Sequence, residues 1–171
     1  MTTTFLRRAV AQDLPAIMPL IEAGRAFLAT QKIDQWQNAY PASADIAADI
    51  AQNVGYVLVV DQQIAGYTAL IIGEETAYTN IEQGAWERPQ ATDYAALHRI
   101  AMSQDFRGQG LTRLLFNSAF TLLQARGIFD VRVDTHPENT VMQHVLTKQG
   151  FVKRGVVQFE GARWAYQLLL A

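Results

Sequence analysis

The 171-residue sequence contains no cysteine. That excludes disulfides, thiolate metal sites and a cysteine nucleophile, and it suits a reducing compartment, so a cytoplasmic protein is expected. Histidine is scarce as well. With only His98, His136 and His144 available, a histidine-rich metal centre has too few ligands, and no metal is expected. No apolar run approaches the ~20 residues that span a bilayer. The opening MTTTFLRRAVAQD lacks the apolar core of a secretory signal, and its arginines follow the first apolar residues instead of preceding them. Neither sign of charge dominates. Fourteen Lys and Arg stand against 16 Asp and Glu, for a net charge of -2, and no basic stretch is interleaved with aromatics. Neither nucleic acid nor a membrane surface is an expected partner, which leaves a small molecule or peptide.

Half of the residues are hydrophobic, in one uninterrupted mixture of apolar and polar stretches without repeats. This composition fits a single domain over residues 1–171. A strand is expected around Phe5 to Arg8, then a helix capped by Asp13 with an apolar face at Ile17, Leu20, Ile21, Gly24, Phe27 and Leu28. Ser43 caps a second helix carrying Ile46 and Ile50. YVLVV and IAGYTALII, separated by Asp61 and Gln62, read as an antiparallel hairpin. Residues 73–93 follow no period and read as a long loop, placed over the active site. YAALHRIAMS is strand-like and leads through DFRGQG into a helix striped with Leu111, Leu114, Leu115, Ala119 and Leu122. DVRVDT resumes as a strand, residues 139–149 form a short helix with Met142, Val145 and Leu146 inward, and two C-terminal strands turn at Glu160 and Gly161. The order βααβββαβαββ implies an α/β fold, a mixed sheet with helices on both faces.

The loop Arg107-Gly108-Gln109-Gly110 lies between a strand and a helix beginning at Leu111-Thr112-Arg113. The first amides of a helix have no partner within it, and glycines let the backbone approach a ligand, so the loop reads as a phosphate cradle. Taken alone, two glycines are equally consistent with a tight turn that merely needs positive φ. No Lys-Ser/Thr follows them, as a nucleotide-hydrolysing P-loop requires, and no GxGxxG follows the first strand.

RGQGLT at 107–112 resembles the R/Q-x-x-G-x-G/A signature of the GNAT acyltransferase superfamily. Two further stretches agree in register. LHRIAMS resembles that family's central strand, and Asn139, Met142 and Gly150-Phe151 are similar to its N-x-x-A and G-F elements. The resemblance implies a GNAT-like sheet, mixed and mostly antiparallel, flanked by helices on both faces. It also implies acetyl-coenzyme A as cofactor. The backbone from Gly108 to Arg113 would then hold the pyrophosphate, with Arg107 or Arg113 on another phosphate. Ile100, Ala101 and Met102 would pair with the pantetheine arm, and Asn139 would hydrogen-bond to it. The activity implied is direct transfer of an acetyl group to the amine of a small molecule or peptide.

Three positions depart from the family's pattern: Thr112 replaces a small residue, Leu146 stands where many members carry a proton-donating tyrosine, and Ala96 stands where some carry a basic glutamate. These substitutions keep open a second reading, a coenzyme-A-binding sensor without catalysis. A nucleotide-binding regulator is a third, resting on the loop alone. His98, two residues beyond Ala96, is the first candidate base and His136 the second, each with the alternative of a packed or capping histidine; His144 falls on an exposed face. A looser likeness to a bacterial subgroup places Trp36, Tyr40 and Trp86 around the acceptor, where aromatics can enclose a cationic amine. Glu74, Glu75 and Glu82 read as solvated charges or as attractors of a basic substrate. Monomer and homodimer both remain, with the C-terminal apolar strand as an edge that a neighbour can extend.

Overall fold

The computed structural model describes residues 2–170. These residues form seven strands and four α-helices, in the order β1 (Thr4–Arg8), α1 (Leu14–Thr30), α2 (Ser43–Ala51), β2 (Gly55–Val60), β3 (Gln63–Ile72), β4 (Tyr94–Met102), α3 (Leu111–Gln124), β5 (Asp130–Thr135), α4 (Thr140–Lys148), β6 (Val152–Gln158) and β7 (Ala162–Leu169). The strands form one hydrogen-bonded order, β1-β2-β3-β4-β5-β7-β6. The chain divides into two compact units, Met1–Leu70 with Arg99–Ala119 and Ile71–His98 with Phe120–Ala171.

In the first unit β1, β2 and β3 form an antiparallel meander. The β2–β3 turn is made by Asp61 and Gln62 at φ 44° and 73°. Two successive positive-φ residues give the turn hand that matches strand twist, and they confirm the hairpin read from the sequence. Alternation along β2 serves two cores. Val57 and Val59 pack with Ile17, Leu20 and Ile21 of α1 and Ile46 of α2. Leu58 and Val60 pack with Leu111 and Leu115 of α3. Helices thus cover both faces of these strands, as the period-two apolar pattern requires when neither face meets water.

Asp13 does not cap α1 with its side chain. Its carboxylate instead accepts two bonds from Arg7, at 2.7 and 2.9 Å, and one from the Val10 amide, closing a short 3₁₀ turn ahead of the helix. Ser43 is the first residue of α2, not its cap; the N-cap position belongs to Ala42, whose N–H donates to Asp45 at 2.6 Å.

In the second unit β4 and β5 run parallel, which brings Tyr94 opposite Asp130 and Ala96 opposite Arg132. β7 is antiparallel to β5 on one side and to β6 on the other. It therefore has no free edge, which corrects the expectation that the C-terminal strand pairs with a neighbouring subunit. Nor is β6 left open. Glu82 exchanges both backbone hydrogen bonds with Val156, at 2.8 Å each, and Gly84 lies so close to the Arg154 carbonyl that a Cβ there would sit 1.9 Å from its oxygen. The loop over residues 73–93 is accordingly packed onto this unit: Tyr78 and Trp86 join Tyr94, Ala96, Val157 and Ala165 in a buried cluster.

Candidate functional site

In the first unit Gly108 and Gly110 adopt φ 78° and 71°, left-handed values that a residue with a Cβ adopts at a cost. A Cβ at either position would meet nothing within 4 Å, so both glycines border open space and the loop is not drawn tight for packing. The first intrahelical bond of this stretch runs from the Leu114 amide to the Gly110 carbonyl, at 3.3 Å. The amides of Leu111, Thr112 and Arg113 precede it and point out of the helix start, where the dipole favours an anion. Arg107, Gln109 and Arg113 are exposed, Thr112 is half-buried, and Leu111 anchors the turn in the core. These features fit a diphosphate: donors, positive potential and room beside the backbone. Among the described residues no cluster of His, Cys, Asp and Glu can hold a metal ion.

The strand leading to this loop is irregular in a way the sequence did not announce. The Ser103 amide bonds to the Ala65 carbonyl and the Gly73 amide to the Tyr94 carbonyl, so β4 uses one residue more than β3 between these two points. The extra residue is accommodated near Arg99, at φ 54°, the signature of a β-bulge. Beyond the bulge come Ile100, Ala101 and Met102, of which Ala101 is buried and the other two half-buried.

Arg99 is held by a cluster that sequence reasoning missed. Its Nε and Nη2 donate to the two oxygens of Asp49 at 2.8 and 2.6 Å, and its Nη1 donates to the Tyr40 hydroxyl. Asp49 also accepts the Tyr67 hydroxyl at 2.7 Å. Burial raises the Tyr67 hydroxyl above the ordinary phenol range, and its bond to Asp49 adds to the effect. Burial raises Tyr40 too, against the opposing pull of Arg99. Burial alone would lower Arg99, but its bonds to Asp49 and the charge partners around it more than offset that, and it is held firmly charged. Trp36 packs against α1 at Gly24, and its carbonyl accepts a bond from Arg25. The sequence signal was present: Asp49 shares the inward face of α2 with Ile46 and Ile50, an acid where the helix period demands an apolar residue.

In the second unit His98 lies among acidic groups. Its Nε2 is 2.7 Å from Glu75, its Nδ1 is 3.9 Å from Asp134, and its ring packs 5.9 Å from that of Tyr78. Glu75 is itself fixed, since its amide donates to the Tyr94 hydroxyl at 2.7 Å. The Tyr78 hydroxyl donates to Asp134 at 2.7 Å, and burial followed by the Asp134 charge holds that phenol well above its usual range. Glu75 is therefore a built partner of a histidine, whereas Glu74 and Glu82 are exposed.

The remaining predicted residues of this unit fall in structural positions. His136 accepts the Glu138 amide at its Nδ1, 3.1 Å, in the turn before α4. Asn139 is the N-cap of α4, its side-chain oxygen accepting the Met142 amide at 3.1 Å. Leu146 is fully buried, and His144 is exposed as expected. Trp86 is buried at 4% exposure, its indole N–H donates to the Tyr78 carbonyl, and its ring stacks 4.4 Å from the Arg132 guanidinium.

Residues 23–151 match the model of the acetyltransferase (GNAT) family. No curated protein matches the sequence. Among solved structures, a GNAT-family acetyltransferase from Streptococcus agalactiae is 37% identical with a TM-score of 0.91, over 98% of this chain and 96% of that one. A GNAT-family acetyltransferase from Listeria monocytogenes shares the fold at 19% identity and TM-score 0.75, over 98% and 95% of the two chains. So does the PaiA N-acetyltransferase of Thermoplasma acidophilum, solved in complex with coenzyme A, at 15% identity and TM-score 0.72 over 98% and 99%.

Proposed function

The chain belongs to the GNAT acetyltransferase family, whose donor is acetyl-coenzyme A, and we propose that residues 1–171 act as one domain that transfers the acetyl group directly to a primary amine. The observation that carries the donor half of this reading is the pair of left-handed glycines beside the unpartnered amides that open α3. Gly108 to Arg113 hold the pyrophosphate, Arg107 and Arg113 supply positive charge near it, and the backbone of Ile100 to Met102 beyond the bulge orients the pantetheine arm. Bound acetyl-CoA supplies an activated thioester, so no covalent enzyme intermediate is needed.

The chain's own part is to position the amine and take its proton. Glu75 accepts the Nε2–H of neutral His98 and so favours the tautomer in which Nδ1 is the ring's accepting nitrogen. That Nδ1 receives the proton, and Asp134, 3.9 Å away, stabilises the imidazolium that results. His136 is the weaker candidate on chemical grounds: with Nδ1 accepting a backbone amide, its neutral ring carries the proton on Nε2 and has no lone pair to offer. The family's tyrosine acid has no counterpart at Leu146, and the departing thiolate is a stable enough leaving group for positioning to carry much of the rate. Asn139 serves first as a helix cap that shapes the turn after β5.

The test is calorimetric titration with acetyl-CoA followed by a thiol-release assay over a panel of amines. Binding with amine-dependent release supports the transferase. Binding without release from any amine favours the sensor reading, and no binding removes the donor assignment.

A further inference from the structure

Three arginines are the most withdrawn from water among the described residues, with side chains 12%, 2% and 4% exposed at Arg99, Arg132 and Arg163. Two of them are fully engaged. Arg99 holds Asp49 through two bonds and Tyr40 through a third. Arg132 binds both oxygens of Asp130, donates to the Arg88 carbonyl, and lies between the rings of Trp86 and Tyr94 at 4.4 and 3.8 Å. Arg163 differs. Its Nε is buried without a hydrogen-bond partner, and the nearest carboxylate, Asp134, stands 4.0 Å away, beyond hydrogen-bond reach. Asp134 is already engaged by the Tyr78 hydroxyl. A guanidinium nitrogen taken out of water without a bond is costly, and an anion relieves that cost.

The registers place this group. Asp134 pairs with Ala165 and Arg132 with Gln167, so Arg163, Ala165 and Gln167 of β7 share one sheet face with Arg132 and Asp134 of β5. Ala96 opposite Arg132 extends that face to β4, and His98 continues it two residues on. A row of charge therefore runs from Arg163 through Asp134 to His98 and Glu75. With His98 neutral, the row has one cation at the β7 end, 4.0 Å from Asp134, and an excess of carboxylate at the other.

We propose that Arg163 binds a carboxylate on the acceptor, so that the substrate is an amino acid or another amine bearing a carboxylate, its amino end directed toward His98. This rests on the acetyltransferase reading above and narrows its acceptor class. The planar fork of a guanidinium matches a carboxylate with two parallel bonds. Asp134 beside it lowers the positive potential at the spot, which makes a phosphate dianion less suited there than a singly charged carboxylate.

The experiment measures kcat/KM with acetyl-CoA for each L-amino acid and for its α-carboxamide, in the wild type and in Arg163→Met and Arg163→Lys. The proposal expects at least one amino acid to exceed its amide by about 10–100-fold, the range of a lost hydrogen bond to a charged group. That ratio should fall to near one in Arg163→Met and recover partly in Arg163→Lys. The melting temperature of Arg163→Met should change by no more than a few degrees, because the buried Nε has no hydrogen bond to lose. A wild-type ratio near one, a ratio that survives in Arg163→Met, or a melting temperature several degrees lower with all acceptors lost would overturn it. If no amine is acetylated at all, the transferase reading fails. Calorimetric titration of the same acids and amides still decides Arg163 in that case: carboxylate-dependent binding that Arg163→Met abolishes upholds the site, and equal or absent binding refutes it.

Discussion

Replacing Asp49 by alanine removes the two bonds that hold the Arg99 guanidinium and the acceptor of the Tyr67 hydroxyl in one step. The two charged side chains are 7% and 12% exposed, so water can do little to replace what is lost. Breaking one side of a buried ion pair costs about 3–5 kcal/mol. An orphaned buried hydroxyl adds about 1–3 kcal/mol. Arg99 keeps Tyr40 and a narrow opening to solvent, which argues for the lower ends and a total of about 4 kcal/mol. For a chain of this size that corresponds to a fall of about 8–16 °C in melting temperature, followed by circular dichroism, with urea titration giving the free energy at 25 °C. A loss below about 1 kcal/mol, the value of a surface pair, would refute the reasoning. A double variant sharpens the test. Asp49→Leu combined with Arg99→Met removes both charges and should recover more than half of the loss; if it is as unstable as Asp49→Ala, an uncompensated charge was not the cause.

Gly110→Val should weaken acetyl-CoA binding by at least tenfold in calorimetry while costing only about 1–2 kcal/mol of stability, because its side chain meets open space and only the φ of 71° is strained. Unchanged affinity would remove the loop from the donor site. His98→Ala should lose turnover and the acidic limb of the pH–rate profile with acetyl-CoA affinity intact, and Glu75→Gln should distort the same limb; an unaltered profile in both would point away from this pair. Asp13 is held below the ordinary carboxylate range chiefly by its bonds from Arg7 and further by the Val10 amide. Its contribution to stability is thus present above about pH 3.9 and is lost as the pH falls through the lowered folded-state value. Asp13→Asn should flatten the dependence of melting temperature on pH across that acidic window, and a slope like that of the wild type would show that Asp13 does not create it.

The sequence made the elements legible because their periods are strong. Ile17, Leu20, Ile21 and Leu28 fix one face of α1, and the two apolar runs around Asp61 and Gln62 admit little but a hairpin. The glycine loop was legible because its chemistry is local: glycine conformation and helix-start amides depend on neighbours in the chain. The polar clusters were not, because each joins residues distant in sequence. Glu75 reads as one loop charge among several until the fold brings His98 to it, and Arg99 reads as an ordinary strand cation until Asp49 is found on the inward side of α2. Arg132 and Arg163 carried a usable hint, since each occupies an alternating position in an apolar strand where a solvated charge does not belong. Asp13 misled because an acid before a helix is a common cap, and here the same carboxylate has a better donor in Arg7.

The stitch between Glu82 and Val156 has a bearing on solubility. With Val156 on its outer edge bonded from within the chain, β6 offers only an interrupted template to a second molecule's strand, even though Val152 and Phe159 expose apolar surface at its two ends. That protection depends on Gly84, the residue whose lack of a side chain lets the loop lie against the Arg154 carbonyl. A bulky residue there lifts the plug without touching the strands themselves. The damage then appears as concentration-dependent self-association and poor soluble yield, in a chain whose core helices and strands still form.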